Sequence, residues 1–179
     1  MTADPSITAT STAARALAPP GPRLLLAEHH RALDSACRAL LGYTYQDDPR
    51  ELIQQYRRFE RATVDHLAAE EELILPAYAD EAPDDAREIY DDHMRIRQLL
   101  FRIGVEVELR VVRAETVKRL VATLQAHAAR EDAGMYPWAQ AHLPLSTRRQ
   151  LFVRIGRSLR TFARIRPPVA SAPASSRAM

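Results

Sequence analysis

A duplicated segment limits the folds that this chain of 179 residues can adopt. Residues 66–76 and 127–137 both follow the pattern H-x3-E-[E/D]-x4-P, with a glutamate four residues after the histidine. In an α-helix this spacing places both side chains on one face, and apolar residues continue that face at intervals of three and four. The repeat therefore predicts two related helices, each with a histidine and a carboxylate among apolar neighbours.

Start and stop signals around the first copy of the segment define a first pair of helices. One helix is predicted from about residue 23 to residue 41, and it should stop at Gly42, a residue suited to a helix C-terminus. The next helix has Asp48 as its N-cap and Glu51 as the second half of a capping box. We expect this second helix to end at Pro76, because proline cannot continue the hydrogen-bonding pattern.

Three further helices are predicted after Pro83. The end of the third helix is unclear from the sequence, because apolar residues between positions 105 and 111 alternate with charged ones, as they do in strands. The fourth helix contains the second copy of the segment and should break at Leu143 and Pro144. Ser146 is suited to cap a fifth, basic helix that extends to Phe162.

Four helices of similar length with short connections predict an all-α fold, an antiparallel four-helix bundle with an additional C-terminal basic amphipathic helix. The predicted organisation is a disordered tail (1–22), a helical bundle (23–145), a basic helix packed on it (146–166) and a second disordered tail (167–179). Both tails are rich in Ala, Ser, Thr and Pro, so they cannot bury enough apolar surface to offset the loss of conformational entropy.

Composition excludes several classes of protein. No apolar run approaches the roughly 18 residues of a membrane span, and we expect a cytoplasmic protein. Cys37 is the only cysteine, which excludes an internal disulfide or a thiolate cluster.

Residues 23–145 contain 22 acidic and 16 basic residues, whereas residues 146–179 contain eight arginines and no acid. The end of the chain is therefore basic, although packing on the bundle is preferred to nucleic-acid or anionic-membrane binding.

Each of the four bundle helices places a histidine where its stripe demands a core residue, and two of them add a glutamate one turn later. Two buried carboxylates in one core need a cation or protons, because an unpaired buried charge costs several kcal/mol. The sequence thus predicts a metal site formed by His30, His66, Glu70, His93, His127 and Glu131. On the first helix His29 is the alternative to His30, but its face carries the weaker apolar stripe.

The chemistry of these donors restricts the metal. Imidazole and carboxylate groups without thiolate suit iron, manganese or zinc, and six ligands exceed the needs of one tetrahedral zinc ion. Two metal ions bridged by Glu70 and Glu131 use the whole set.

At these residues the sequence resembles hemerythrin and the hemerythrin-like HHE cation-binding domains. The matching pieces are residues 28–31 (Glu-His-His-Arg), the two H-x3-E segments, and Asp92 followed by His93, within about residues 23–140. The resemblance implies a non-heme centre of two iron ions, usually linked by an oxo or hydroxo bridge. Oxygen-carrying hemerythrins have a fifth histidine one turn after the ligand of the third helix, and here that position is Arg97.

The lack of a fifth histidine favours a diiron protein that binds or reacts with small oxidants (peroxide, O₂ or NO), and a catalase-like activity in oxidative or nitrosative stress defence is one form of this hypothesis. The alternative is an iron or oxygen sensor that contacts a partner through the basic fifth helix. A third hypothesis is an O₂-activating oxidase, although no organic substrate pocket is recognisable in the sequence. The sequence leaves open whether the protein is a monomer or a homodimer.

Overall fold

The structure is a computed structural model that describes residues 22–45 and 48–165, with side chains described from residue 28 onward. The predicted tails lie outside the described residues, apart from Pro22. Seven helices are present in this part of the chain, and it contains no strand. They are α1 (Pro22–Tyr43), α2 (Pro49–Leu73), α3 (Leu75–Ala79), α4 (Pro83–Glu108), α5 (Ala114–Ala133), α6 (Met135–His142) and α7 (Leu145–Phe162). The predicted all-α fold is confirmed.

The four long helices α1, α2, α4 and α5 form a closed bundle. Helix α1 packs against α2 and α5, and α4 packs against the same two helices from the other side. Helix α7 lies against α1 and α2 and buries Leu151, Ile155 and Phe162. None of the described helices is both long enough and apolar enough to cross a membrane.

Proline positions explain why two of the helices are shorter than expected. Helix α2 ends at Leu73 rather than at Pro76, and Pro76 lies in the first turn of the short helix α3. The second copy behaves in the same way: α5 ends at Ala133, and Pro137 lies in the short helix α6. Each proline lacks the N–H that a continuous helix would use, so the backbone breaks before it and a new short helix begins.

The capping predictions had mixed outcomes. Asp48 caps α2, since its side chain accepts a hydrogen bond from the Glu51 N–H at 3.1 Å. The side chain of Glu51 receives a hydrogen bond from Gln55, so no reciprocal capping box forms between these residues. The prediction for α7 was wrong, because this helix starts one residue before Ser146, with Pro144 at the N-cap position.

The ambiguous region after residue 103 is helical up to Glu108. Val107 faces the core and Val105 faces solvent, so the apparent strand-like alternation comes from residues on opposite sides of α4. The chain then leaves the helix through Arg110, whose φ of 58° is the left-handed conformation.

The buried carboxylate of Glu106 joins the end of α4 to the start of α5. It accepts hydrogen bonds from the Arg113 N–H at 3.0 Å and from the Thr116 hydroxyl at 2.9 Å. Burial alone would raise the pKa of Glu106, but these two bonds and the nearby Arg102 outweigh burial and hold the pKa below its usual value. The charged form of Glu106 therefore stabilises the folded chain.

We predict that Glu106→Ala lowers the free energy of unfolding by about 2 kcal/mol, because two donors at the α4–α5 junction lose their partner. Urea denaturation at neutral pH measures this loss. Since the pKa of Glu106 is depressed in the folded chain, its contribution is complete above the unfolded pKa of about 4.3 and is lost as the pH falls through the folded value. The difference in the free energy of unfolding between wild type and Glu106→Ala should therefore become smaller at acidic pH.

The matched control is Glu115→Ala. Glu115 is exposed and forms only a surface ion pair with Lys118 on the same helix. Its removal should change stability by less than about 0.5 kcal/mol. An equal effect of the two substitutions would contradict the proposed role of Glu106.

Candidate metal centre

The structure brings the six predicted side chains together in the middle of the bundle. The ligand atoms of Glu70, His93, His127 and Glu131 all lie within 4.8 Å of one another, and those of His30, His66 and Glu131 form a second group of this kind. Glu131 belongs to both groups. His30, which is 8% exposed, is the most accessible of the six residues, and the others are fully buried.

The two histidine–glutamate pairs of the repeat approach each other within their own helices. On α2, His66 Nε2 lies 3.3 Å from Glu70 Oε1. On α5, His127 Nε2 lies 3.1 Å from Glu131 Oε1. The spacing of four residues accounts for both distances, because it places each ring directly beside its carboxylate.

The two histidines without a glutamate on their own helix reach across the bundle. His30 Nε2 lies 3.1 Å from Glu131 Oε2. His93 Nε2 lies 3.5 Å from Glu70 Oε2 and 3.7 Å from Glu131 Oε1. All four imidazoles therefore turn the same nitrogen, Nε2, towards the carboxylates.

Several of these buried atoms lack a hydrogen-bond partner in the part of the chain that the structure describes. They are Glu70 Oε2, Glu131 Oε1 and the Nε2 atoms of His66, His93 and His127. A buried polar group without a partner costs free energy, and a buried charge costs more. A cation among these atoms would satisfy all of them at once, so the donor set fits a metal.

The pKa values of the clustered side chains also indicate a site that favours a cation. Burial and the neighbouring Glu131 raise the pKa of Glu70. Burial would also raise the pKa of Glu131, but the imidazoles, His127 foremost, hold it well below the usual value. The His30 and His93 rings are buried, which opposes their protonation, yet the carboxylates that face them raise both pKa values to about 10. The cluster therefore favours positive charge between its two carboxylates.

Glu71, the acidic residue that follows Glu70 in the repeat, supports His93 from outside the cluster. Its Oε1 lies 2.8 Å from His93 Nδ1, on the opposite side of the ring from Nε2. A carboxylate in this position fixes the orientation of a ligating imidazole and makes Nε2 a better donor. The repeat contained this position, but the sequence did not reveal which histidine it would contact.

Arg97 occupies the outer side of the same carboxylate. Its guanidinium donates two hydrogen bonds to Glu71, at 2.7 and 2.8 Å. The side chain therefore neither extends freely into solvent nor points at the cluster. It neutralises and orients Glu71, which in turn orients His93.

Two further rings have an acidic residue on the Nδ1 side at longer distances. His30 Nδ1 lies 3.6 Å from Asp132 Oδ1, and Asp132 follows Glu131 in the second copy of the repeat. His127 Nδ1 lies 4.0 Å from Asp92 Oδ2. Three of the four rings thus have a carboxylate behind them.

The fourth ring, His66, is instead backed by His29. The two rings are stacked with their centroids 4.0 Å apart, and His29 also forms an edge-to-face contact with Phe162 on α7, with the centroids 5.0 Å apart. Burial lowers the pKa of His29 to about 3, helped by the proximity of His30, so the ring is neutral. His29 is fully buried because α7 covers its face, which a stripe analysis of α1 alone could not show.

The position of His29 helps to decide whether His29 or His30 is the donor from α1, which the sequence left open. His30 belongs to one of the two groups of converging ligand atoms, whereas His29 belongs to neither. Both nitrogens of His29 lack a hydrogen-bond partner among the described residues. Geometry therefore favours His30 as the donor from α1.

Sequence reasoning missed Tyr136, which is buried at the centre of the site. Its hydroxyl donates to Glu70 Oε1 and lies 3.0 Å from Glu131 Oε2 and 3.1 Å from His30 Nε2. In the first copy of the repeat the corresponding position, directly before the proline, is Leu75. This replacement of an apolar residue by a phenol is the signal that could have identified it.

A small cavity lies beside His30 at the seam between α1 and α5. It has a volume of about 30 Å³, which is room for a water-sized molecule, and His30, Leu33 and Cys37 are among its lining residues. An open surface groove shares His30, Asp34 and Gln125 with this cavity. Of the six clustered side chains, His30 lines both this cavity and the surface groove.

Comparison with known proteins gives one family. The model of the hemerythrin HHE cation-binding domain matches residues 22–139 and, in a second match, residues 84–164. No match was found among curated proteins or among solved structures. Since the first match covers about two thirds of the chain and the buried His/Glu cluster fits a cation, the protein belongs to the hemerythrin HHE cation-binding domain family.

Proposed function

We propose that the chain binds two iron ions through His30, His66, Glu70, His93, His127 and Glu131, and that the loaded centre reacts with small oxidants. The observation that carries this proposal is the convergence of buried imidazole and carboxylate atoms, most of them without another partner in the described chain. The expected oxidants are peroxide, O₂ and NO. Peroxide disproportionation, which yields two waters and one O₂ from two H₂O₂, is the simplest reaction because it needs no other reductant.

The arrangement of the carboxylates supports two ions rather than one. Glu70 presents Oε1 to His66 and Oε2 to His93, which lie on different helices. Glu131 presents Oε1 to His127 and Oε2 to His30. A carboxylate whose two oxygens face different imidazoles is placed to bridge two cations, and this donor set suits iron.

When bound, iron would supply redox electrons and Lewis acidity to the oxidant. The residues of the chain hold and shield the site. Glu71 fixes the His93 ring, and the packing of α7 over His29 excludes water behind His66. The Tyr136 hydroxyl is the buried proton donor nearest to both carboxylates. We therefore assign it the role of donating a proton or a hydrogen bond to the oxidant.

The enclosed cavity beside His30 is large enough for a small oxidant and too small for an organic substrate, whereas the open groove outside it has a volume of about 510 Å³. The cavity beside His30 holds about 30 Å³, whereas pockets for organic ligands have volumes of about 300 Å³ or more. The third hypothesis, an oxidase with an organic substrate, gains no support from this cavity.

A series of acidic variants tests the ligand assignment. Glu70→Ala and Glu131→Ala should each lose most of the metal, because each removes a proposed bridge. Glu71→Ala should weaken binding by about 10–100-fold, as expected for the loss of a carboxylate behind a ligating imidazole. Metal analysis after anaerobic Fe(II) loading, together with competition by a chelator, gives stoichiometry and affinity, and wild type should hold two ions per chain.

The matched control is Glu72→Ala, the next residue on α2. Glu72 is exposed and pairs only with Arg154 of α7, so metal affinity should not change. One ion per chain in fully loaded wild type would contradict the dinuclear proposal. Equal losses in the Glu71 and Glu70 variants would contradict the assignment of Glu70 as the ligand.

Tyr136→Phe tests the proton donor. This variant keeps the ring in the core and removes only the hydroxyl. We expect it to retain two ions per chain and to consume peroxide about 10²-fold more slowly, in line with the loss of one well-placed donor. A stopped-flow assay of peroxide, normalised to bound iron, measures the change. Loss of iron from Tyr136→Phe would instead identify the phenol as a metal ligand. Full iron content with an unchanged rate of peroxide consumption would exclude the phenol both as a ligand and as the proton donor.

A second candidate function is metal sensing, and one chain of contacts favours it. Phe162 near the end of α7 contacts His29, and His29 stacks on the proposed ligand His66. Thr161 and Arg164, on either side of Phe162, line a groove of about 520 Å³ together with four arginines of α2, namely Arg50, Arg57, Arg58 and Arg61. A change at His66 on metal binding would thus reach a basic surface suited to an anionic partner.

Hydrogen exchange of α7 in metal-free and metal-loaded protein tests this second function. A sensor should show a metal-dependent change in the protection of residues 155–165, and Phe162→Ala should abolish it. Phe152→Ala, on the partly exposed side of the same helix, serves as the control and should leave the change intact. Equal protection of α7 with and without metal in wild type would exclude this function.

A further inference from the structure

Helix α4 has a second apolar face that nothing in the described structure covers. A soluble helix normally has one apolar side, but this one exposes four large apolar side chains, and a fifth follows directly after its last residue, each exposed by between 38% and 73%. They are Tyr90, Met94, Phe101, Val105 and Leu109. Contiguous exposed apolar surface of this kind marks an interaction site.

The exposed residues form one stripe, opposite the core. At about 100° per residue, they occupy an arc of roughly 100° on the helix. The buried residues of α4, such as Ile96, Leu100 and Ile103, occupy the other side. The stripe is therefore a separate face and not an extension of the bundle core.

The spacing of the stripe is self-complementary. Tyr90, Met94, Phe101 and Val105 are separated by four, seven and four residues, and this pattern reads the same in both directions. If two copies of α4 pack antiparallel with the axis between residues 97 and 98, Tyr90 meets Val105 of the second copy, and Met94 meets Phe101. A two-fold interface requires such a match, because the same surface serves both copies.

Charges beside the stripe agree with the same arrangement. Antiparallel pairing brings Asp91 close to Arg102 of the second copy, and Arg87 opposite Glu108, each pair occurring twice by symmetry. Arg87, Arg102 and Glu108 are all exposed. Within one chain they form surface ion pairs with Asp84, Glu106 and Arg57, and the dimer would add a second opposite charge beside each of them. The charge of Arg97, near the centre of the stripe, is already neutralised by Glu71. Opposite charges at the rim fix orientation and register.

The surface beside the stripe leaves room for a side chain from the second copy. A shallow groove of about 360 Å³ lies between α2 and α4, with Gly104, Tyr56 and Val105 among its lining residues. Because Tyr90 of the second copy would lie opposite Val105, its ring would enter this groove. A Cβ at residue 104 would lie 3.2 Å from the Tyr56 hydroxyl of the same chain, so glycine at this position lets the floor of the groove pack closely.

We propose that the protein forms a homodimer through an antiparallel pair of α4 helices, centred between residues 97 and 98. This inference rests on the pattern of exposed residues and does not depend on the proposed reaction. Light scattering on the full-length, metal-loaded protein at about 0.1 mM should give twice the chain mass of 20.2 kDa. Phe101→Arg should shift the protein to the monomer mass, because two buried charges would face apolar surface.

The control for this substitution is Phe152→Arg, which places the same charge on a partly exposed phenylalanine of α7. This variant should remain dimeric, and both variants should keep their metal content and helical circular dichroism. A monomeric wild type, or a dimer that persists in Phe101→Arg, would overturn the proposal.

Two further variants test the register. Asp91→Arg should weaken the dimer by at least about tenfold through repulsion from Arg102, and the double variant Asp91→Arg/Arg102→Asp should restore it. Gln98→Cys should form an intermolecular disulfide under mild oxidation, since residue 98 lies next to the axis and the native Cys37 is buried. Failure of both the rescue and the cross-link would exclude the antiparallel arrangement.

Discussion

Two carboxylates buried at the centre of an apolar bundle are the constraint on which the rest of the structure depends. Glu70 and Glu131 lie where a bundle of this size would place leucine, and each would cost several kcal/mol without a counter-charge. Four imidazoles and one phenol surround them, each from a different helix. A cation bound between these polar groups would offset the cost of burying them. The free energy of metal binding would then contribute directly to the free energy of folding.

The repeat produces a nearly symmetrical set of donors, and the differences between its two copies create distinct environments around it. On the side of the first copy, His93 is held by Glu71, which Arg97 neutralises. On the side of the second copy, Asp132 lies farther from His30, and Tyr136 replaces Leu75. His30, the most accessible of the clustered histidines, and the buried Tyr136 hydroxyl therefore lie together, at 3.1 Å.

The sequence predicted the helical fold and the residues that converge, because both follow from periodicity along single helices. The spacing of His127 and Glu131 is a local property, and the stripes show which side of each helix is buried. What periodicity could not show were contacts between helices: the packing of Phe162 on His29, or the contact between Glu71 and His93. The ends of α2 and α5 were misplaced for a local reason, since proline breaks the helix several residues before its own position.

The basic helix α7 gives the site its two unequal sides. Its apolar residues cover α1 and α2, so the surface behind His29 and His66 is closed by protein. Helix α6 packs against α1 and α5, but beside His30 these two helices leave a cavity that shares residues with a surface groove. His30 is therefore the clustered side chain that both approaches the buried Tyr136 hydroxyl, at 3.1 Å, and borders the cavity and the groove. The unequal sides of the cluster thus come from a helix outside the four that carry the clustered histidines.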